Sequence, residues 1–148
     1  MSHARKFALI STVVWGLIFI GLLSVVLIPG AEYFADPDRS LWRLLTAAII
    51  LPGFVLNGWL GWRSKRLKVD GQLDERDDAI ARTASQATLI VVTLAVYLMA
   101  LSLYEVYSST GMVPRGWLYL LAYGTVSLVC LVHAAASLVV DLRGTANG

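Results

Sequence analysis

Four stretches without a single charged residue constrain this chain more than any other feature of its sequence. They cover residues 7–31, 44–62, 83–104 and 116–140. A helix needs about 20 apolar residues to cross the hydrocarbon core of a membrane, and each stretch is close to that length or longer. Because lipid offers the backbone no hydrogen-bond partners, each crossing segment has to be helical. The sequence therefore predicts an all-α integral membrane protein with four spans.

The composition agrees with this class. The chain has 148 residues, of which 57% are hydrophobic and 15% are charged, whereas soluble domains carry about 25% charged residues. We predict a single membrane domain over residues 1–148, folded as a four-helix bundle of two antiparallel hairpins. The predicted spans are 7–28, 41–62, 84–107 and 117–140, and the loop 63–83 joins the second span to the third.

The distribution of lysine and arginine predicts the orientation of the spans. Nine of these residues lie in the N-terminal segment, the loop 63–83 and the C-terminal segment, and the other three, Arg39, Arg43 and Arg115, lie at or near the opposite ends of the spans. Basic residues near spans are retained on the cytoplasmic side. We therefore expect both termini and the central loop in the cytoplasm, and the protein in the cytoplasmic membrane.

The segment from Arg63 to Gln86 carries half of the charged residues of the chain. The segment begins with a basic cluster, and an acidic run follows it. We predict that this run forms the first turn of a helix, where the helix dipole favours carboxylates. We expect this helix to continue into the third span without a break, so that the third helix extends into the cytoplasm. The two charged groups predict an electrostatic clasp or, alternatively, a docking surface for a cytosolic protein. The residues concerned are Asp74, Glu75, Arg76, Asp77, Arg63 and Arg66.

Polar residues inside the spans are few. Asn57, Gln86 and His133 fall at a similar depth on three different helices, which predicts a polar cluster in the inner leaflet. Such a cluster can serve as hydrogen-bonding contact between helices, or it can sense protons or contact a ligand. Gln86, Thr93, Tyr97 and Tyr104 also share one face of the third helix at heptad-like spacing, and such a face is expected to meet another helix.

The string Asp74-Glu75-Arg76-Asp77, followed by Ile80 and Ala84 before a long apolar span, resembles a family of small prokaryotic membrane proteins of unknown function. Members of that family carry a DER-acid signature ahead of a span in a chain of similar size. The resemblance covers mainly the central loop and the third span. It implies a prokaryotic origin and four spans, and it supplies no activity.

Several functional classes lack the residues they need. The single cysteine excludes chemistry that depends on cysteine pairs, and the one histidine within a span excludes a di-haem cytochrome. Asp74 and Asp78 share a helix face, but hard cations need more oxygen ligands, so we expect no metal site. We also expect no cofactor and no enzymatic activity. Nothing in the charge pattern indicates nucleic-acid binding.

We therefore expect a non-enzymatic membrane protein that relays a signal to a cytosolic partner through Arg63–Gln86. The alternatives are a small transporter or an accessory subunit of one, and an immunity-type membrane protein. The expected partners are the lipid bilayer and a cytosolic protein, and a homo-oligomer is left open.

Overall fold

A computed structural model describes residues 3–34, 36–69 and 75–146 of the chain. Every regular element in these ranges is helical. They are α1 (His3–Leu27), the short α2 (Ala31–Phe34), a 3₁₀ turn (Pro37–Arg39), α3 (Ser40–Ala48), α4 (Leu51–Val69), α5 (Glu75–Tyr107) and α6 (Arg115–Ala146). Four helical segments are long and apolar enough to cross a membrane: Arg5–Leu27, Ser40–Arg63, Arg76–Tyr107 and Arg115–Gly144. The prediction of an all-helical chain with four such helices is confirmed.

The second span is predicted over 41–62, and the corresponding candidate span runs from Ser40 to Arg63. Within it, α3 and α4 are separated at Ile49 and Ile50. Proline lacks an N–H group, and its ring clashes with the carbonyl four residues earlier, which for Pro52 belongs to Ala48. The backbone tightens before it, and the Ile50 amide donates to the Ala47 carbonyl at 3.3 Å. Helical bonding resumes with the Phe54 amide, which donates to Ile50 at 3.2 Å.

The third span follows its prediction. One unbroken helix runs from Glu75 to Tyr107, so the acidic run lies in the same helix as the apolar span. The helix begins well before Ala84, the first residue of the predicted span.

Helix packing centres on α1 and α6, which form the most extensive pair. α5 packs along α6, and α4 makes a smaller contact with α1. Within the described ranges, α4 and α5 make little contact with each other. The helices therefore follow one another in the order α4, α1, α6, α5, and a closed four-helix bundle stays a prediction.

Two buried clusters and two glycines hold this arrangement together. One cluster contains Trp15, Ile18, Leu22 and Ile50, and the other contains Val26, Ala31 and Leu120. A methyl group added at Gly53 would lie 2.7 Å from the Trp15 ring, so this glycine lets α4 approach α1. A methyl group added at Gly116 would overlap the carbonyl group of Ala31. Both glycines permit contacts that any side chain would block.

Candidate functional site

An ion cluster at Asp141 joins three helices at one end of the molecule. The Asp141 side chain is 11% exposed, and its Oδ1 lies 3.4 Å from Nη2 of Arg76, at the start of α5. Its Oδ2 lies 4.0 Å from Nε of Arg5, in the first turns of α1. Asp141 itself belongs to the C-terminal part of α6. We call these three residues the Asp141 cluster, and the end of the molecule that contains it the charged end.

The burial of Asp141 explains why it needs these cations. The residue is 7% exposed, and a buried carboxylate is strongly disfavoured unless a cation pairs with it. Two guanidinium groups compensate for this, and Arg76 also approaches the Asp141 backbone carbonyl at 3.5 Å. Gly144 leaves room for Arg76, because a methyl group added there would lie 3.1 Å from Arg76 Nη2. The cluster therefore fixes the start of α5 on the end of α6.

Arg76 is one of the residues predicted for the clasp or docking surface, and the sequence assigns it no partner. The structure places Arg76 on Asp141 of α6, because α5 packs along α6 and hardly contacts α4. The guanidinium groups of Arg63 and Arg66 lie over tryptophan rings of their own helix, at 5.4 Å from the Trp59 centroid and 4.1 Å from the Trp62 centroid.

Only part of the predicted clasp lies within the described residues. Among the described side chains, no ion pair joins Arg63 or Arg66 to Asp77. Asp74 and the side chain of Glu75 lie outside the described part of the chain. Pairing of these two acids with the basic cluster stays a prediction.

A cleft of about 510 Å³ opens beside the Asp141 cluster. Residues of α1, α4, α5 and α6 line it, so it reaches all four spans. Most of the lining is apolar. Its polar and ionisable residues are Ser11, Asn57, Asp77, Asp78, Cys130, His133 and Ser137.

Two of the three residues in the predicted polar cluster share this cleft. Asn57 and His133 both line it, from α4 and α6. Gln86 does not, and its side chain is exposed on α5. The prediction grouped the three by depth along the helices, whereas the rotation of α5 about its axis turns Gln86 away from the others.

Asn57 is the polar link between helices on the cleft wall. Its Oδ1 accepts a hydrogen bond from Trp15 Nε1 at 3.1 Å, and its Nδ2 donates to Cys130 Sγ at 3.5 Å. One amide thereby connects α4 to α1 and to α6. The Ser137 hydroxyl, by contrast, donates to the backbone carbonyl of His133 at 2.8 Å. The hydroxyl is therefore not bonded to the imidazole ring of His133.

The cleft can hold a polar or cationic group against carboxylates, an amide and an imidazole. Nucleophilic catalysis requires a nucleophile paired with a base. Within the described residues, the thiol of Cys130 is bonded to Asn57 and the hydroxyl of Ser137 to a backbone carbonyl. The described residues contain no group of three or more histidine, cysteine, aspartate or glutamate side chains placed to bind a metal ion.

Sequence reasoning missed Asp141, the central residue of the ion cluster. It follows directly after the predicted end of the fourth span, at Val140. The available clue was an acid at the C-terminal end of the predicted fourth span, where the helix dipole favours cations. An acid that contradicts this preference needs a compensating cation, although sequence alone does not say which one.

Comparisons with protein-family models, with curated proteins and with solved structures find no match to this chain. The resemblance to small prokaryotic membrane proteins with a DER-acid signature therefore stays a prediction.

Proposed function

We propose that this chain is a non-enzymatic multi-pass protein of the cytoplasmic membrane. Both termini and the central loop lie in the cytoplasm in this proposal. A change in the packing of its membrane helices alters how the segment Arg63–Gln86 contacts a cytosolic partner, and the protein relays a signal in this way. The Asp141 cluster and the cleft connect that segment to the rest of the molecule.

The surface of the helices supports membrane insertion. Large apolar side chains are exposed along all four long helical segments, among them Leu17, Val55, Leu89 and Leu118. In water such a surface would drive aggregation, whereas lipid tails cover it at no cost. Lysine and arginine are concentrated at the charged end, which supports a cytoplasmic location for that end.

The single observation that carries the relay is the double role of one helical turn. Arg76 in this turn binds Asp141, while Asp77 and Asp78 in the same turn line the cleft. A ligand, a proton or a change in helix packing at the cleft therefore acts on the same turn that anchors the central segment. The unbroken helix α5 transmits the change in either direction.

A small transporter, or an accessory subunit of one, is the second candidate. The cleft favours it, because a polar cavity among spans is where a transported solute would bind. Beyond the cleft, however, the buried cluster of Trp15, Ile18, Leu22 and Ile50 packs between the helices. A solute would meet this apolar cluster, so transport requires a second conformation. The relay does not require a conformational change that opens this apolar cluster.

The proposed orientation predicts a labelling pattern. Single cysteines at Asp38 and Gly111, in a Cys130→Ser background, should react in intact cells with a thiol reagent that does not cross membranes. A cysteine at Gly71 should react only after the cells are opened. The physical reason is the excess of basic residues around Gly71. Labelling of Gly71 from outside would contradict the orientation.

The relay predicts that Asp141→Asn weakens contact with the cytosolic partner. A photo-crosslinking amino acid at Arg66, which is exposed, should give a discrete adduct in intact cells with the otherwise unchanged protein. Asp141→Asn should reduce the yield roughly 5-fold, because losing an ion pair worth about 1 kcal/mol shifts a two-state equilibrium by that factor.

Asp38→Asn is the matched control for the crosslinking experiment, because Asp38 is an exposed aspartate outside the Asp141 cluster. It removes the same charge and should leave the yield unchanged. Melting curves in detergent, recorded for both variants, show whether a lower crosslinking yield reflects weaker contact with the partner or a loss of folded protein. Equal yields from a folded Asp141→Asn variant and the control would rule out the relay through this cluster.

A further inference from the structure

α5 has two faces of opposite character. Its buried face packs on α6 and includes Ile80, Ala84, Thr88 and Val92. At about 100° per residue, the opposite face carries Gln86, Thr93, Tyr97 and Tyr104. All four side chains are exposed, and Tyr97, near the middle of the span, is 60% exposed. We call these four residues the α5 stripe.

Hydrogen bonding separates the stripe from the other polar residues of α5. The hydroxyl groups of four other residues donate to the backbone carbonyl four residues earlier; these are Thr83, Ser85, Thr88 and Ser102. Within the described part of the chain, no side chain of the α5 stripe makes a hydrogen bond. The polar groups of the stripe are therefore available to another molecule.

The membrane location makes this lack of partners costly. An amide or hydroxyl group transferred to an apolar medium without a hydrogen bond is strongly disfavoured. Spans therefore direct such groups toward other helices. The stripe faces away from α6, and α4 hardly contacts α5, so none of the described helices covers it. A second molecule in the membrane would supply the missing hydrogen-bond partners.

We infer that the α5 stripe is a dimer interface that binds the stripe of a second copy of this chain. This inference rests on the proposed membrane location and not on the relay. Copies inserted in one orientation are related by a twofold axis along the membrane normal, so their α5 helices run parallel and equal residues meet at equal depth. Gln, Thr and Tyr each carry both a donor and an acceptor. Each stripe residue can therefore bond to its own counterpart.

The position of α5 in the fold suits this interface. α5 contacts α6 on one side only and lies at the end of the helix order, so a second copy can approach without disturbing the pair α1–α6. Arg82 lies one turn before Gln86 and ahead of the charge-free stretch. Its long side chain can extend to water and avoid its counterpart.

Disulfide formation in native membranes tests the interface directly. In a Cys130→Ser background, Thr93→Cys should form an intermolecular disulfide on mild oxidation. Leu94→Cys is the matched control, since its neighbouring position has nearly the same depth but points about 100° away, and Leu94 is also exposed. We expect a dimer band from Thr93→Cys and little from Leu94→Cys.

Energy transfer between labelled copies of the purified protein in lipid vesicles tests the contribution of the polar groups. Gln86→Leu should raise the dimer dissociation constant roughly 3- to 30-fold, the range expected for an interhelical hydrogen bond in a membrane. Ser85→Ala should leave it unchanged, because the Ser85 hydroxyl is already bonded to the Ala81 carbonyl at 2.9 Å.

Equal disulfide yields at positions 93 and 94 would overturn the dimer interface. So would a purified protein that stays monomeric in vesicles, whether its stripe then crosslinks to a different membrane protein in cells or to none. Resistance of the protein to alkaline extraction from membranes reports insertion separately. A protein that resists extraction but does not dimerise would therefore refute this inference alone.

Discussion

Gly116→Ala is expected to destabilise the protein by roughly 1–3 kcal/mol, toward the upper end of the range for overpacked sites. The added methyl group would overlap the carbonyl oxygen of Ala31 and lie 2.8 Å from its carbonyl carbon. A flexible side chain could move aside, but here the obstacle is backbone. The start of α6 must therefore separate from α2, which exposes part of the cluster of Val26, Ala31 and Leu120. Unfolding in mixed detergent micelles measures the loss.

Gly124→Ala is the control for that measurement. It places the same methyl group on the same helix, but 3.7 Å from Leu120 Cδ1, which is an ordinary contact. Alanine also favours the helix over glycine by roughly 0.5–1 kcal/mol. The free energy of unfolding should stay the same or rise. Equal losses from the two variants would show that close approach at Gly116 does not determine stability.

Trp15→Ala is expected to have the second large effect, a loss of roughly 3 kcal/mol. Trp15 is fully buried, with 0% exposure, and its indole donates to Asn57. Large-to-small changes of this kind cost about 3–5 kcal/mol in soluble cores. We expect the lower end because, at the proposed membrane location, separated helices would still lie in lipid, so only packing and the hydrogen bond would be lost.

Two comparisons make the Trp15 prediction specific. Trp42→Ala removes a tryptophan that is 54% exposed, and it should cost far less. Trp15→Phe retains most of the ring packing but leaves Asn57 Oδ1 without its donor, so an intermediate loss is expected. If Trp15→Ala and Trp42→Ala destabilise equally, the cluster around Trp15 does not hold α1, α4 and α6 together.

Local sequence features account for the course of the individual helices. The acidic run and the apolar stretch after it contain no helix breaker, and α5 is indeed one helix from Glu75 to Tyr107. Pro52 is an equally local feature, and it separates α3 from α4 within the second candidate span, a detail that the predicted bounds 41–62 do not describe. Both results depend only on residues a few positions apart.

The partners of the charged and polar residues depended on helix packing. Arg76 binds Asp141, which is 65 positions away in the sequence. The candidates for its partner included every acid near the same end of the molecule, and depth along a helix does not distinguish among them. For the same reason, Gln86 shared a depth with Asn57 and His133 but not their cleft.

The sequence by itself determined that the described chain is helical and has four long apolar helices. Helix formation in an apolar stretch is local, since each backbone group bonds within the same helix, a few residues away. Only the tertiary structure decided that α1 pairs with α6, that Asp141 joins three helices, and that the α5 stripe faces outward. Which faces meet depends on shape at a few sites, such as Gly53 beneath Trp15 and Gly116 against Ala31. These contacts join residues far apart in the chain, and they become visible only when the helices are packed together.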